Sequence, residues 1–287
     1  MIRFSSSIHK LRSSEIRDLM SLANKPDMIL FSGGMPDNNL FPLQEIDDIY
    51  NNLTEKEKQI AMQYGPTSGI PELLDTLQEF LRKKGLPVDE NKLMITTGSL
   101  QAINILAKAF LDPGDSIVVE NPCFIGATSA FKSYDANIVS VPLTASGIHL
   151  DKLKAAINDE TQKPKFVYLT PNFHNPAGTL YTIETKLALI EILKGKNIPL
   201  IEDDAYSDLY FYEEDKPHLT TIKAMNPKGI DVCYTGSFSK ILGPGLRLGW
   251  MLVPEPIYKK AELIKQSIDA CSPSFTQMLA HKFVSSG

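Results

Sequence analysis

A lysine stands at position 240 in the run Gly236-Ser237-Phe238-Ser239-Lys240, and Arg247 follows seven residues later in GPGLRLGW. A solvated lysine near pKa 10.4 is neutral in roughly one molecule in a thousand at pH 7, so a nucleophilic one needs desolvation or cationic neighbours. Two serines and Gly-rich turns bracket this lysine just after an apolar, strand-like stretch. Ser237, Ser239 and Arg247 suit a phosphate dianion, because a guanidinium fork makes two charge-assisted bonds where an ammonium offers a point charge. The segment joins an amine nucleophile to an anion site.

Three other runs carry chemistry-bearing side chains. Gly98-Ser99-Leu100-Gln101 follows the strand-like LMITT, where a glycine permits a tight turn and a helix start leaves backbone N–H groups free for an anion. Taken alone, it is equally a plain strand-to-helix turn. Asp203-Asp204-Ala205-Tyr206 ends the apolar stretch IPLIED and sets an acid and a phenol at a strand terminus. An aspartate there could pair with a protonated ring nitrogen, worth about 4 kcal/mol at ~4 Å and an effective dielectric near 20. Adjacent acids at a strand end also serve as helix caps or solvated turns. In TPNFHNPAG, Asn175-Pro176 and Gly178 define a turn that presents an amide, and Asn175 could donate to a phenolate oxygen. Its neighbour His174 reads as a turn residue rather than a catalyst, and no histidine stands at metal-ligand spacing beside the paired aspartates.

These runs need elements to position them. From residue 93 onward, apolar runs of strand length (LMITT, SIVVE, NIVSVPL, FVYLT, IPLIED, VCYTG, LGWMLV) mostly alternate with helical stretches. The helices are SLQAINILAKAFL and the stretches near 125–132, 150–157 and 183–193. That order predicts an α/β fold with a mostly parallel sheet sandwiched by helices and ligands outside the carboxyl ends of the strands. Upstream, Ile16, Leu19, Met20 and Leu22 predict a short helix, and FSGGMPDNNLFP a bend, so that residues 1–38 form an arm and 39–287 the main domain.

Composition narrows the class further. The chain has 287 residues, 43% hydrophobic and 22% charged, with a net charge of -5, the balance of an ordinary globular protein. No basic field is available for nucleic acid or an anionic membrane, and no apolar run nears the roughly 20 residues of a membrane span. Cys123, Cys233 and Cys271 lie far apart with no CxxC pair, which predicts neither a zinc cage nor a disulfide framework and points to the cytoplasm.

Taken in order, FSGGMPDNNLFP, QYGPTSGIPELL, TTGSLQAI, ENPCFIGA, TPNFHNPAGTL, IEDDAYSDLYF and GSFSKILGPGLRLGW resemble the class I aminotransferases among the pyridoxal-phosphate enzymes of fold type I. Within them, the resemblance is to the aminoadipate and kynurenine aminotransferase branch. It implies that Lys240 forms a Schiff base with pyridoxal 5'-phosphate and, once released, acts as general base. It implies a phosphate cup at Gly98, Ser99, Leu100 and Gln101, completed by Ser237, Ser239 and Arg247. Asp203 would pair with the ring nitrogen, Asn175 and Tyr206 would bond the ring oxygen, and Phe124, where many relatives have tyrosine, would stack on the ring. Asp204 would then be structural. Tyr64 would reach the phosphate across a homodimer interface, Gly34 would lie beside the substrate carboxylate, and Arg17 matches a residue that holds a distal acidic group. The implied reaction moves an amino group from an amino acid (2-aminoadipate, kynurenine, aromatic or branched-chain) to a 2-oxo acid.

Members of that family continue into a smaller domain of roughly a hundred residues whose arginine clamps the substrate carboxylate. This sequence stops at Gly287, so the resemblance implies a large domain without its C-terminal small domain, and possible loss of turnover. Two alternatives share the fold: the ligand-sensing domain of a MocR-type transcription regulator, and a fold type I lyase.

Overall fold

The structure is a computed structural model that describes residues 2–5, 8, 34–225 and 227–286. The predicted helix near residues 13–22 lies outside them. Among the described residues, three helices that the patterning above does not show precede the sheet: α1 (Leu43–Asn52), α2 (Glu55–Met62) and α3 (Pro71–Lys83). A capping box between Thr54 and Glu57 starts α2, and a proline at the first position starts α3. The apolar stripe of α3 buries Leu73, Leu77 and Leu81 at four-residue spacing.

The remaining chain alternates β1 (Lys92–Thr96), α4 (Ser99–Phe110), β2 (Ser116–Asn121), α5 (Ile125–Ser133), β3 (Asn137–Thr144), β4 (Gly147–Ile148), α6 (Leu150–Ile157), β5 (Val167–Leu169), α7 (Ile183–Leu193), β6 (Leu200–Asp204), β7 (Val232–Ser237), β8 (Gly249–Val253), α8 (Glu255–Ile268) and α9 (Ser274–Ser285). The eight strands of the described residues form one sheet in the order β1-β8-β7-β6-β5-β2-β3-β4.

Strands β7, β6, β5, β2 and β3 run parallel, while β8 is antiparallel to both β7 and β1. The patterning does not show this reversal. Its cause is the connection: residues 238–248 make a turn and a short 3-10 segment, too little for the crossover that a parallel return requires. Because β8 reverses between them, β1 and β7 end at the same edge. Thr96 and Ser237 both pair with Gly249 there.

Alternation along each strand divides the core. Met94, Ile117, Val119, Tyr168, Ile201, Cys233 and Met251 face α4, α5 and α8. On the other face, Leu93, Ile95, Tyr234, Trp250 and Leu252 pack with α3 and α9, while Val118, Val167, Leu169 and Leu200 pack with α6 and α7. Among the described residues, no helix is long and apolar enough to cross a membrane, and no group of His, Cys, Asp and Glu could hold a metal ion.

Candidate active site

The carboxyl ends of β1, β5, β6 and β7 bring the singled-out runs to one edge. At β1, the backbone turns through Gly98, whose φ of 82° is open to glycine and strained for other residues, and enters α4 at Ser99. The N–H groups of Ser99 and Leu100 open the helix with no intrahelical acceptor upstream. Arg247 closes the cup from the other side: a Cβ built on Gly98 would lie 2.7 Å from its Nη2. Gly249 is equally constrained, since its Cβ would fall 2.5 Å from Ser99 N and 2.8 Å from Gly236 O.

Gln101 departs from the expectation that it binds phosphate. Its Oε1 accepts from Thr97 N at 2.8 Å and its Nε2 donates to Asp269 Oδ2 at 2.6 Å, while its own N–H bonds Gly98 O at 3.1 Å. It braces the turn rather than filling the cup.

Neighbouring residues on a strand point to opposite faces, and this separates the two aspartates. Asp203, 4% exposed, shares the face of Ile201; its Oδ2 accepts from Tyr168 Oη at 2.7 Å and its Oδ1 from Thr235 Oγ1 at 3.1 Å. Burial pushes its pKa up to about 6, while those two bonds pull it down and the Asp204 and Glu120 charges add to the rise. Asp204 points to the other face, where it accepts from Tyr234 (2.9 Å), Ser207 (2.8 Å) and Asn172 (3.2 Å). It is a packing group.

Above Asp203, the Asn175 amide donates to Tyr206 Oη at 3.1 Å, and Lys240 Nζ lies 5.6 Å from the centre of the Tyr206 ring. Burial, with the Asp203 charge, raises the Tyr206 pKa, and the Asn175 bond opposes it. Phe238, two residues before the lysine, anchors its turn by packing edge-on against Trp250 at 4.9 Å. Within that turn Ser239 N donates to Ser237 Oγ at 3.1 Å, which leaves the Ser237 hydroxyl hydrogen free for a ligand. Phe124 is half-buried and folds over Gly126, where a Cβ would lie 2.5 Å from its Cζ.

Other expected residues stand apart. Tyr64 is 88% exposed, and Gly34 is exposed with open space around it. Arg17 lies outside the described residues.

The model of the family "Aminotransferase class I and II" matches residues 26–286. The chain belongs to that family. The class I and II aminotransferases exchange amino groups between amino acids and oxo acids and use pyridoxal phosphate. Aromatic-amino-acid aminotransferase 1 of Thermococcus litoralis is 37% identical over 99% of this chain and 68% of its own length. The 2-aminoadipate transaminase of Thermus thermophilus is 33% identical over 99% of this chain and 70% of its own. Among solved structures, the kynurenine aminotransferase of Pyrococcus horikoshii superposes with a TM-score of 0.92 at 36% identity, covering 99% of this chain and 70% of that one. HTH-type transcriptional regulators are more distant, with this chain spanning 57% of one from Bacillus subtilis at 29% identity.

Within this aminotransferase fold, the residues missed by sequence reasoning are those that hold the named ones. Tyr168 and Thr235 carry hydroxyls at strand positions whose register with Asp203 appears only once the sheet order is known. His174 is 1% exposed beneath the Asn175 turn, with Nε2 3.3 Å from Glu120 Oε2.

Proposed function

We propose that this aminotransferase binds pyridoxal phosphate through residues of this edge and takes an amino donor of the aromatic or 2-aminoadipate class. The single observation that carries the reading is the spacing of unlike groups along one edge: cationic cup, amine, paired amide and phenol, and buried carboxylate. The cup of Gly98, Ser99 and Leu100 with Ser237, Ser239 and Arg247 suits a phosphate. A side chain at position 98 would fill the space between turn and guanidinium. Asp203, already given two donors, is matched to a protonated ring nitrogen, which it would hold charged by about 4 kcal/mol at ~4 Å. Asn175 and Tyr206 would bond the ring oxygen, and Phe124 would cover the ring face.

When bound, pyridoxal phosphate supplies the electron sink that makes the substrate Cα–H acidic. Lys240 would carry the cofactor on Nζ and, once displaced by the amino acid, take the Cα proton and return it. Tyr206, whose ring centre lies 5.6 Å from that amine, would help to orient it against the ring oxygen site.

The finer assignments rest on narrower support. Residues 39–287 would form the cofactor-binding domain behind an arm of residues 1–38. Tyr64, whose ring is exposed, would enter the site of a second copy, so a homodimer is the proposed assembly. Three free thiols fit the cytoplasm. The donor class follows the relatives named above.

Borohydride reduction of the protein with its cofactor, followed by peptide mapping, tests the assignment: the phosphopyridoxyl label is expected on Lys240. A label on another lysine would overturn it. Donor screening with 2-oxoglutarate as acceptor is expected to rank aromatic amino acids and 2-aminoadipate first, and sedimentation to give a dimer.

A further inference from the structure

Behind the cup lies a polar cluster with no part in the reaction just described. Asp269, the residue that ends α8, accepts from Lys265 Nζ on one oxygen at 2.8 Å. Its other oxygen accepts from Gln101 Nε2 at 2.6 Å and Thr97 Oγ1 at 2.9 Å. The Lys265 side chain is fully buried and also donates to Ser272 Oγ at 3.1 Å, whose hydroxyl meets Thr97 Oγ1 at 3.1 Å. Gln101 completes a closed bracket by accepting from Thr97 N at 2.8 Å. Thr97 is thus held by backbone and side chain, Gln101 at both ends of its amide, and the one residue between Thr97 and Ser99 is Gly98.

We propose that Asp269 is a positioning residue for phosphate, holding the Thr97-Gly98-Ser99 turn through Gln101 and Thr97 so that the free N–H groups of α4 stay aimed into the cup. The physical reason is preorganisation. A glycine at φ 82° has many alternatives, and backbone donors that must first be ordered bind an anion less tightly than donors already in place. A carboxylate is suited to this bracket because it accepts from all three donors at once. Burial pushes its pKa up, but the bonds from Lys265, Gln101 and Thr97, with the Lys265 charge, outweigh that and hold it below its ordinary range. The three donors that Asp269 bonds are all side chains of the protein, Lys265, Gln101 and Thr97. Its effect on binding must pass through the turn, and therefore through the phosphate alone.

That selectivity makes the test. The inference rests on the reading of Gly98 and its neighbours as a phosphate cup, and two forms of the cofactor separate the two claims. Wild-type protein and the variants Thr97→Val, Thr97→Ser and Asp269→Asn are titrated with pyridoxal phosphate and with pyridoxal, which lacks the phosphate, and binding is followed by absorbance. Thr97→Val and Asp269→Asn are expected to weaken pyridoxal phosphate about tenfold and pyridoxal less than about twofold. Thr97→Ser, which keeps the hydroxyl, is expected to bind both as wild type does. Thr97→Val leaves the Lys265–Asp269 pair intact, so it reports even if Asp269→Asn fails to fold. Equal losses for the two ligands, or no loss in Thr97→Val, overturn the positioning role. A wild-type protein that does not prefer pyridoxal phosphate to pyridoxal overturns the cup itself, and the inference with it.

Discussion

The hydroxyl of Tyr168 donates to Asp203 Oδ2 at 2.7 Å from the strand next to the aspartate's own, while Thr235 serves the other oxygen from the opposite side. The carboxylate is therefore held in one orientation before any ligand arrives. Two hydroxyl bonds do not offset its burial, which pushes its pKa up to about 6, above the ordinary aspartate range. A raised carboxyl pKa means that the cofactor-free fold bears the cost of a buried charge above pH 6, and that this cost disappears as pH falls toward 4. Asp203→Asn is expected to stabilise the cofactor-free protein by roughly 2 to 3 kcal/mol at pH 8 and by little near pH 4. The same substitution is expected to lower transamination by on the order of a hundredfold or more, through loss of the proposed ring-nitrogen partner. Urea unfolding at the two pH values checks the first half, and a wild-type-like difference at both would refute it.

Gly249 allows β8 to pass against the cup. Adding a methyl group there places Cβ against the Ser99 and Gly98 backbone, which cannot swing away as a side chain could. Gly249→Ala is expected to cost about 1 to 3 kcal/mol of stability. Cofactor affinity should fall with it, because the displaced backbone is the proposed anion site. Thermal melting with and without pyridoxal phosphate reads both effects.

His174 is expected to act on the site through its neighbour. Its Nδ1 accepts from Ala177 N at 3.2 Å, and its Nε2 lies 3.3 Å from Glu120 Oε2. Glu120 accepts from Tyr181 Oη at 2.6 Å and Thr170 N at 2.9 Å, fixing both ends of the segment that presents Asn175. His174→Ala is expected to lower stability by about 1 to 3 kcal/mol and to lower kcat. Its effect on kcat should be much smaller in an Asn175→Ala background, since His174 would act only by placing the Asn175 amide that the second change removes. Additive effects in that double-mutant cycle would mean that His174 serves the fold alone.

Arg247 sits in the left-handed region at φ 51° and bonds Pro244 O through Nη1 at 3.2 Å, which leaves Nη2 at Gly98. A lysine has one point charge and cannot do both. Arg247→Lys is expected to raise the dissociation constant for pyridoxal phosphate by roughly ten- to a hundredfold while leaving that for pyridoxal nearly unchanged. Equilibrium dialysis of each ligand is sufficient to check it.

The sequence by itself determined the kinds of groups at the site and their place at strand ends. Lys240, Asp203, Asn175, Gly98 and Arg247 each follow or close an apolar run, and strand-length runs alternating with helices imply an α/β sheet whose carboxyl edge binds ligands. Local spacing carries that information because strands, turns and helix starts are set by neighbouring residues. The tertiary structure decided what holds them. Strand order placed Tyr168 and Thr235 beside Asp203, the reversal of β8 brought Arg247 against Gly98, and the end of α8 put Asp269 behind Gln101, 168 positions away in the chain. It also turned Asp204 away from the site, since the pleat alternates faces but only the packed helices say which face is which. These relations join residues far apart in sequence through hydrogen bonds a few ångströms long, and no local pattern records them.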